Sequence, residues 1–169
     1  ARGALTLTDK RWDIIVSQPS HPWTAGASHL YTREFAALCK EHLAPGGVFV
    51  QWINAGFLNP ELFASVGATL LDTYEHLRLY RPIPSMLLFL ASAEPLDVER
   101  ELVRTGAPIA ANPDYWNAAG ISDVNELLAL LALDQKGIET LCAGGTVSTD
   151  DRNVLAMASG MDLPEGLHM

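Results

Sequence analysis

"WDIIVSQPSHPW", residues 12–23, sets a short apolar run directly against a stiff polar loop. Residues 12–17 are brief, β-branched and bounded by turn formers, the pattern of a buried strand. The loop that follows carries Pro19, Ser20, His21, Pro22 and Trp23. Two prolines fix its backbone, and the remaining side chains offer a hydroxyl, an imidazole and an aromatic face. In an alternating α/β sheet, ligands bind at the carboxyl ends of the strands, where this loop would stand. Trp23 can stack on a purine ring or pack the loop onto the helix that follows.

Residues 1–8 read as the tail of a helix or as a loop. Residues 31–43 place Tyr31, Phe35, Leu38 and His42 or Leu43 at helical spacing. "APGG" (44–47) ends that helix, and "VFVQWI" (48–53) is the next strand. Asn59 caps a second helix, which Pro60 opens and which runs to about Thr73. "HLRLYR" (76–81) and "SMLLFLAS" (85–92) are joined by a very short link and read as antiparallel neighbours. The order β-α-β-α-β-β begins with parallel strands and right-handed crossovers, which predicts an α/β sheet. Residues 96–104 follow as a short charged helix, and 106–121 as irregular chain. Ser122 is expected to cap an amphipathic helix with Val124, Leu127, Leu128 and Leu131 on one core stripe. A short helix covers about 135–142, and 144–155 is a turn-rich loop leading into a last apolar segment.

The 169 residues are 49% hydrophobic and 18% charged, with a net charge of −9, a globular composition. The acidic balance excludes a nucleic-acid partner, whose phosphates need clustered Lys and Arg. It also argues against an anionic membrane surface. Cys39 and Cys142 lack metal or redox spacing and read as buried free thiols of a reducing, cytoplasmic compartment. The longest apolar runs, 86–91 and 127–133, are too short for a bilayer span, and no signal-peptide pattern is present. The chain opens on Ala1 with a strand arriving almost at once, so a piece of a longer chain is expected.

The run 11–53 contains "PSHPWTAG" (19–26), "LYTREF" (30–35) and "LAPGGVFVQW" (43–52), and residues 149–155 read "TDDRNVL". Together these resemble the spermidine synthase-like family, and more closely its bacterial branch fused to membrane transporter-like segments. The likeness is strong over 11–53 and 148–155 and weak between. It implies an α/β fold, the C-terminal half of a Rossmann-like methyltransferase-type sheet. Parallel strands would be followed by an antiparallel hairpin and C-terminal helices. Residues 1–95 would form a partial Rossmann-like α/β unit and 96–169 a helical C-terminal extension packed on the same domain. The implied cofactor is decarboxylated S-adenosylmethionine or S-adenosylmethionine, and the implied partner a polyamine or other amine acceptor. The implied location is cytoplasmic, including as the cytoplasmic domain of a membrane-fused protein.

In complete members of that family a glycine-rich loop after the first strand cradles the nucleoside. An acid after the second strand holds the ribose. Neither pattern precedes Trp12, and "APGG" lies before a strand, so it is a turn. Strand 12–17 would be the family's fourth, with an unpaired outer edge. A missing N-terminal half or a second copy in a homodimer would cover it.

In the family's aminopropyltransferases, two carboxylates in the loop after the fourth strand bind and deprotonate the cationic amine. Those positions fall at Gln18 and His21. Glutamine is no base, whereas histidine, with an ordinary pKa of about 6.5, can be one. The resemblance therefore nominates His21 and Gln18 as the catalytic positions. It nominates Ser20, Trp23, Gln51, Tyr80, Asp150 and Asp151 as substrate contacts. No metal is expected, because His21 and His29 have no carboxylate beside them. The plain alternatives are a backbone-bonded His21, a structural Tyr80 and Ser85, and a "TDDR" turn closed by an internal Asp–Arg pair. Alternation lets only one of Gln51 and Trp52 face a ligand. Thr32 is expected to cap its helix, with Arg33 and Glu34 solvated. The function read from this is transfer of an aminopropyl or methyl group. The rival is a non-catalytic α/β interaction or dimerisation module that has lost its acids.

Overall fold

The computed structural model describes residues 2–19, 22, 24 and 26–158. A short helix, α1 (Arg2–Leu5), precedes β1 (Trp12–Ser17). A 3-10 turn (Ser28–Tyr31) leads into α2 (Arg33–Glu41), β2 (Leu43–Asn54), α3 (Pro60–Leu71), β3 (His76–Tyr80) and β4 (Met86–Ser92). There follow α4 (Val98–Thr105), α5 (Ala107–Ala111), α6 (Pro113–Ala118), α7 (Val124–Leu128), β5 (Leu131–Leu133), α8 (Gln135–Leu141) and α9 (Val154–Ala158). The sheet runs β1-β2-β4-β3-β5. β1 and β2 are parallel across the α2 crossover, and the other pairs are antiparallel. This is the α/β sheet expected, with the β3–β4 hairpin after the parallel pair.

Local chemistry sets most of these boundaries. The Asn59 side chain accepts the Leu62 amide at 2.8 Å, and Pro60 fills the first helical position of α3, where its missing N–H goes unused. Alternation then selects the core. Phe49, Gln51 and Ile53 of β2 share a face with Leu77 and Leu79 of β3 and with Leu87, Phe89 and Ala91 of β4. That face is closed by α2 and α3. Phe49 stacks on Tyr74 with ring centroids 5.8 Å apart and meets the edge of Phe35 at 6.1 Å. Such rings supply the larger part of the packing energy, about 1.5–3 kcal/mol each. The buried Tyr74 hydroxyl donates to the Ala36 carbonyl at 3.0 Å, so no polar group is stranded there.

Several expectations change. β1 is not a buried strand: Ile14 and Val16 are each 61% exposed, because β1 is the sheet's edge and these two side chains stand on the face away from α2 and α3. β2 starts at Leu43 and absorbs "APGG" as a bulge, with a register break between Trp12 and Ile14. Gly46 turns there at φ +72°, a left-handed conformation that glycine alone adopts at no steric cost. Residues 106–121 are not irregular: Pro108 and Pro113 open α5 and α6. Asp123, not Ser122, caps α7, taking the amides of Asn125 and Glu126, while Glu126 reaches back to the Ser122 amide and hydroxyl. The leucine stripe also breaks. α7 stops at Leu128, and Leu131–Leu133 pairs with β3 as β5. The unfilled hydrogen-bonding edge of β3 offers more to a Leu-Ala-Leu segment than another turn of a five-residue helix. The stripe's members are only half-buried.

α8 comes close to α3 at Gly67, where a Cβ would run into the Cys142 thiol. Gly67→Ala is expected to lower stability by about 1–3 kcal/mol in denaturant unfolding. Adding Cys142→Ala should recover most of that loss; a neutral single mutant would refute the close approach.

His42 ends α2 with Nδ1 2.9 Å from the Leu38 carbonyl and Nε2 3.0 Å from the Thr8 carbonyl. Both partners only accept, so the charged imidazole, a donor at both nitrogens, satisfies both. These two backbone bonds raise its pKa above 6.5, against an opposing burial effect, with Glu41 raising and Arg11 lowering it. A raised folded value means the stabilisation is complete below pH 6.5 and is lost as pH rises through the folded value. Protection of the Trp12 amide, which donates to the His42 carbonyl, should fall across that window. The fall should be absent in His42→Gln.

Candidate functional site

The parallel register aligns Ser17 with Gln51 at the carboxyl ends of β1 and β2. Both side chains face the α2–α3 layer. Ser17 is 6% exposed and Gln51 2%. The Gln51 amide nitrogen donates to the carbonyls of Trp52 at 3.1 Å and Ser17 at 3.4 Å. The Tyr31 hydroxyl donates to the same Trp52 carbonyl at 3.3 Å, and burial raises the Tyr31 pKa and keeps the phenol protonated. Trp52 projects through the opposite face. Among the described residues, Ser17 Oγ, Trp52 Nε1 and, away from this sheet end, Asn153 Nδ2 are buried without a hydrogen-bond partner. Native structures satisfy nearly all such atoms. Ser17 Oγ lies on the α2–α3 face and Trp52 Nε1 on the opposite one, so Ser17 alone is the unpaired group on the Gln51 side of the sheet end.

A groove of about 540 Å³ opens beside Ser17 along β1. Ser17, Gln18 and Pro19 form its end, Ile15 and Trp12 its floor, and Ala4, Leu5, Leu30 and Phe35 its walls. Gln18 is exposed at its mouth. The nominated Ser20, His21 and Trp23 lie outside the described residues.

The second nominated cluster lies at the start of α2. Asp150 is tied from three sides: the Thr32 hydroxyl donates to it at 2.7 Å, Arg2 pairs with it at 2.8 Å, and His29 Nδ1 lies 3.5 Å away. Burial alone would raise its pKa. The Thr32 bond, the bond and charge of Arg2, and His29 outweigh that and hold the carboxyl below its ordinary value. The expected internal Asp–Arg pair does not form, since Asp150 reaches Arg2 across the fold, while Thr149 and Arg152 close the turn through Thr149 Oγ1 and the backbone. Thr32 makes no side-chain cap. Its hydroxyl goes to Asp150 instead, and the Ser148 carbonyl takes the Arg33 amide. Glu34 is not simply solvated, because it accepts the Asp150 amide at 2.9 Å. Asp151 is exposed.

Tyr80 stands apart from Gln51, on the Trp52 face. Its hydroxyl donates to Glu99 of α4 at 2.6 Å, and Arg78 closes the pair at 3.3 Å. Burial, then the Glu99 hydrogen bond and charge, raise its pKa against the opposing charge of Arg78. The structure thus brings Gln18, Ser17 and Gln51 together, places Asp150 beside Thr32, and leaves Tyr80 elsewhere. Ser17 and Tyr31 are additions. Alternation from Ile15 carries a signal for Ser17, whereas the Arg2–Asp150 contact, 148 residues apart, has no local signature. No His, Cys, Asp and Glu group among the described residues could hold a metal, and none of their helices is long and apolar enough to cross a membrane.

Solved structures of spermidine synthases share this fold. A probable spermidine synthase from Corynebacterium glutamicum superposes with a TM-score of 0.59 at 17% identity, over 88% of this chain and 51% of that one. The spermidine synthase of Thermotoga maritima gives 0.59 at 19% identity, over 83% and 47%. A spermidine synthase in complex with the transition state analogue AdoDATO gives 0.56 at 18%, over 83% and 46%. The chain therefore has the spermidine synthase fold and spans about half the length of those proteins. No protein-family model and no curated protein matches the sequence.

An unpaired buried hydroxyl destabilises the chain that holds it. Ser17→Ala is expected to leave stability unchanged or raise it by about 1 kcal/mol in urea unfolding. A clear loss would mean that Oγ is satisfied within the chain.

Proposed function

We propose that this chain is the acceptor-side half of a spermidine synthase-like transferase domain. The domain moves an aminopropyl or methyl group from an S-adenosylmethionine-derived donor to a polyamine or other amine. The carrying observation is the stranded Ser17 hydroxyl beside Gln51, at the end of the parallel pair and on an open groove. The "TREF" and "TDDR" stretches support the bacterial transporter-fused branch. Buried free thiols at Cys39 and Cys142 accord with a cytoplasmic setting.

The described groove fits only part of such a donor. Its walls are apolar, with hydroxyl and amide groups at one end, and suit an aromatic or thioether portion. Its lining contains no carboxylate to hold a ribose or a cationic amine. In this reading the rest of the site comes from a segment covering the β1 edge, either an N-terminal half or a second copy. His21 takes the base role and Gln18 orients the acceptor. A charged imidazole repels a polyamine, so the acceptor would bind with His21 neutral.

The missing carboxylates and the open edge favour one rival, an α/β interaction or dimerisation module. Calorimetry with 5′-methylthioadenosine and decarboxylated S-adenosylmethionine, run beside sedimentation, separates the two. Micromolar binding by a folded chain is the transferase outcome. Dimerisation without binding is the module outcome. A folded monomer that binds neither ligand overturns both.

A further inference from the structure

Two stretches far apart in the sequence, "TREF" (32–35) and "TDDR" (149–152), bind each other. Thr32 donates to Asp150, the Arg33 amide to the Ser148 carbonyl, and the Asp150 amide to Glu34. Arg2 pairs with Asp150 and lies over the Phe35 ring at 6.0 Å. The start of α2 is thus capped by a distant loop. This replaces local caps that are absent: neither the 3-10 turn nor α2 has a side-chain cap of its own.

The placement matters because of what precedes Thr32. The chain leaves the sheet at Ser17 and returns through the turn Ser28–Tyr31. β2 fixes the departing end. Asp150 fixes the returning end by holding Thr32 and His29. Tyr31, adjacent to Thr32, reaches the Trp52 carbonyl that also binds Gln51.

We infer that Asp150 is a positioning residue, setting Tyr31 and the end of the β1–α2 loop against Gln51 rather than contacting substrate itself. This rests on the transferase reading for its purpose, but not for its test. The groups facing the carboxylate are Arg2 from α1 and His29 and Thr32 from the turn. Glu34 of α2 faces the adjacent amide. Its folded pKa is lowered, so the clasp is complete above the ordinary carboxyl value and is released as pH falls through the folded one.

The test is amide exchange and side-chain NMR on the full chain, with no ligand and no turnover, so it stands or falls independently of transfer activity. Asp150→Ala should reduce protection of the Leu30 and Arg33 amides by about tenfold or more, as loss of a charged hydrogen bond predicts. It should move the Gln51 side-chain amide signals and leave Phe49–Ile53 backbone protection intact. Asp150→Asn keeps the volume and an acceptor oxygen, and guards against a variant that fails to fold. It should show a smaller effect and no acid-dependent step, where the parent shows one. Asp151→Ala should leave Leu30 and Arg33 protection and the Gln51 signal unchanged. Unchanged Leu30 and Arg33 protection, a still Gln51 signal, or uniform loss across the sheet would overturn the assignment.

Discussion

Parallel pairing of β1 with β2 sets Ser17 beside Gln51, and the remaining polar groups of the site take their places from that register. A slip by one residue would turn every β1 side chain to the opposite face. Ile14 and Val16 would enter the core layer, and Ser17 would leave the groove. The glycine bulge at 44–47 absorbs the irregularity near Trp12, so that the aligned stretch from Ile14 to Ser17 reaches the sheet end intact. The register rests on few residues, because among the described residues β1 pairs with β2 alone.

Much of this was legible from local pattern. The β-branched run at 12–17, the Asn59-Pro60 start and the short 76–92 hairpin each carry their cause within a few residues. Failures came where tertiary contacts outbid local preference. Residues 131–133 continue a helical stripe, yet the free edge of β3 takes them as a strand. Exposure of β1 follows from its lack of an outer neighbour, which no residue in 12–17 encodes. At the site, Gln51 late in the second strand and Gln18 just after the first were nominated through the family resemblance. Asp150 was recognisable as a polar group of consequence, but not its partners, since Arg2 and Thr32 meet it only after the whole sheet has assembled.

The site is assembled from groups in tension with stability. Ser17 Oγ and Trp52 Nε1 lie buried without partners, while Tyr74, Thr69 and Ser65 nearby have all their hydroxyls bonded. Strain-like costs of this type concentrate where a protein binds something.

The mixed sheet also orders the events of folding. β3 and β4 are joined by a few residues and pair antiparallel, so their contact closes a very short loop. β2 then adds to β4, whereas β1 pairs with β2 only after the crossover through α2 has formed. The Arg2–Asp150 tie spans 148 residues and carries the largest loop-closure cost of these contacts. By loop-closure cost the groove is the feature expected to form late, and until β1 joins, the free edge of β2 is open to pairing with a neighbouring chain.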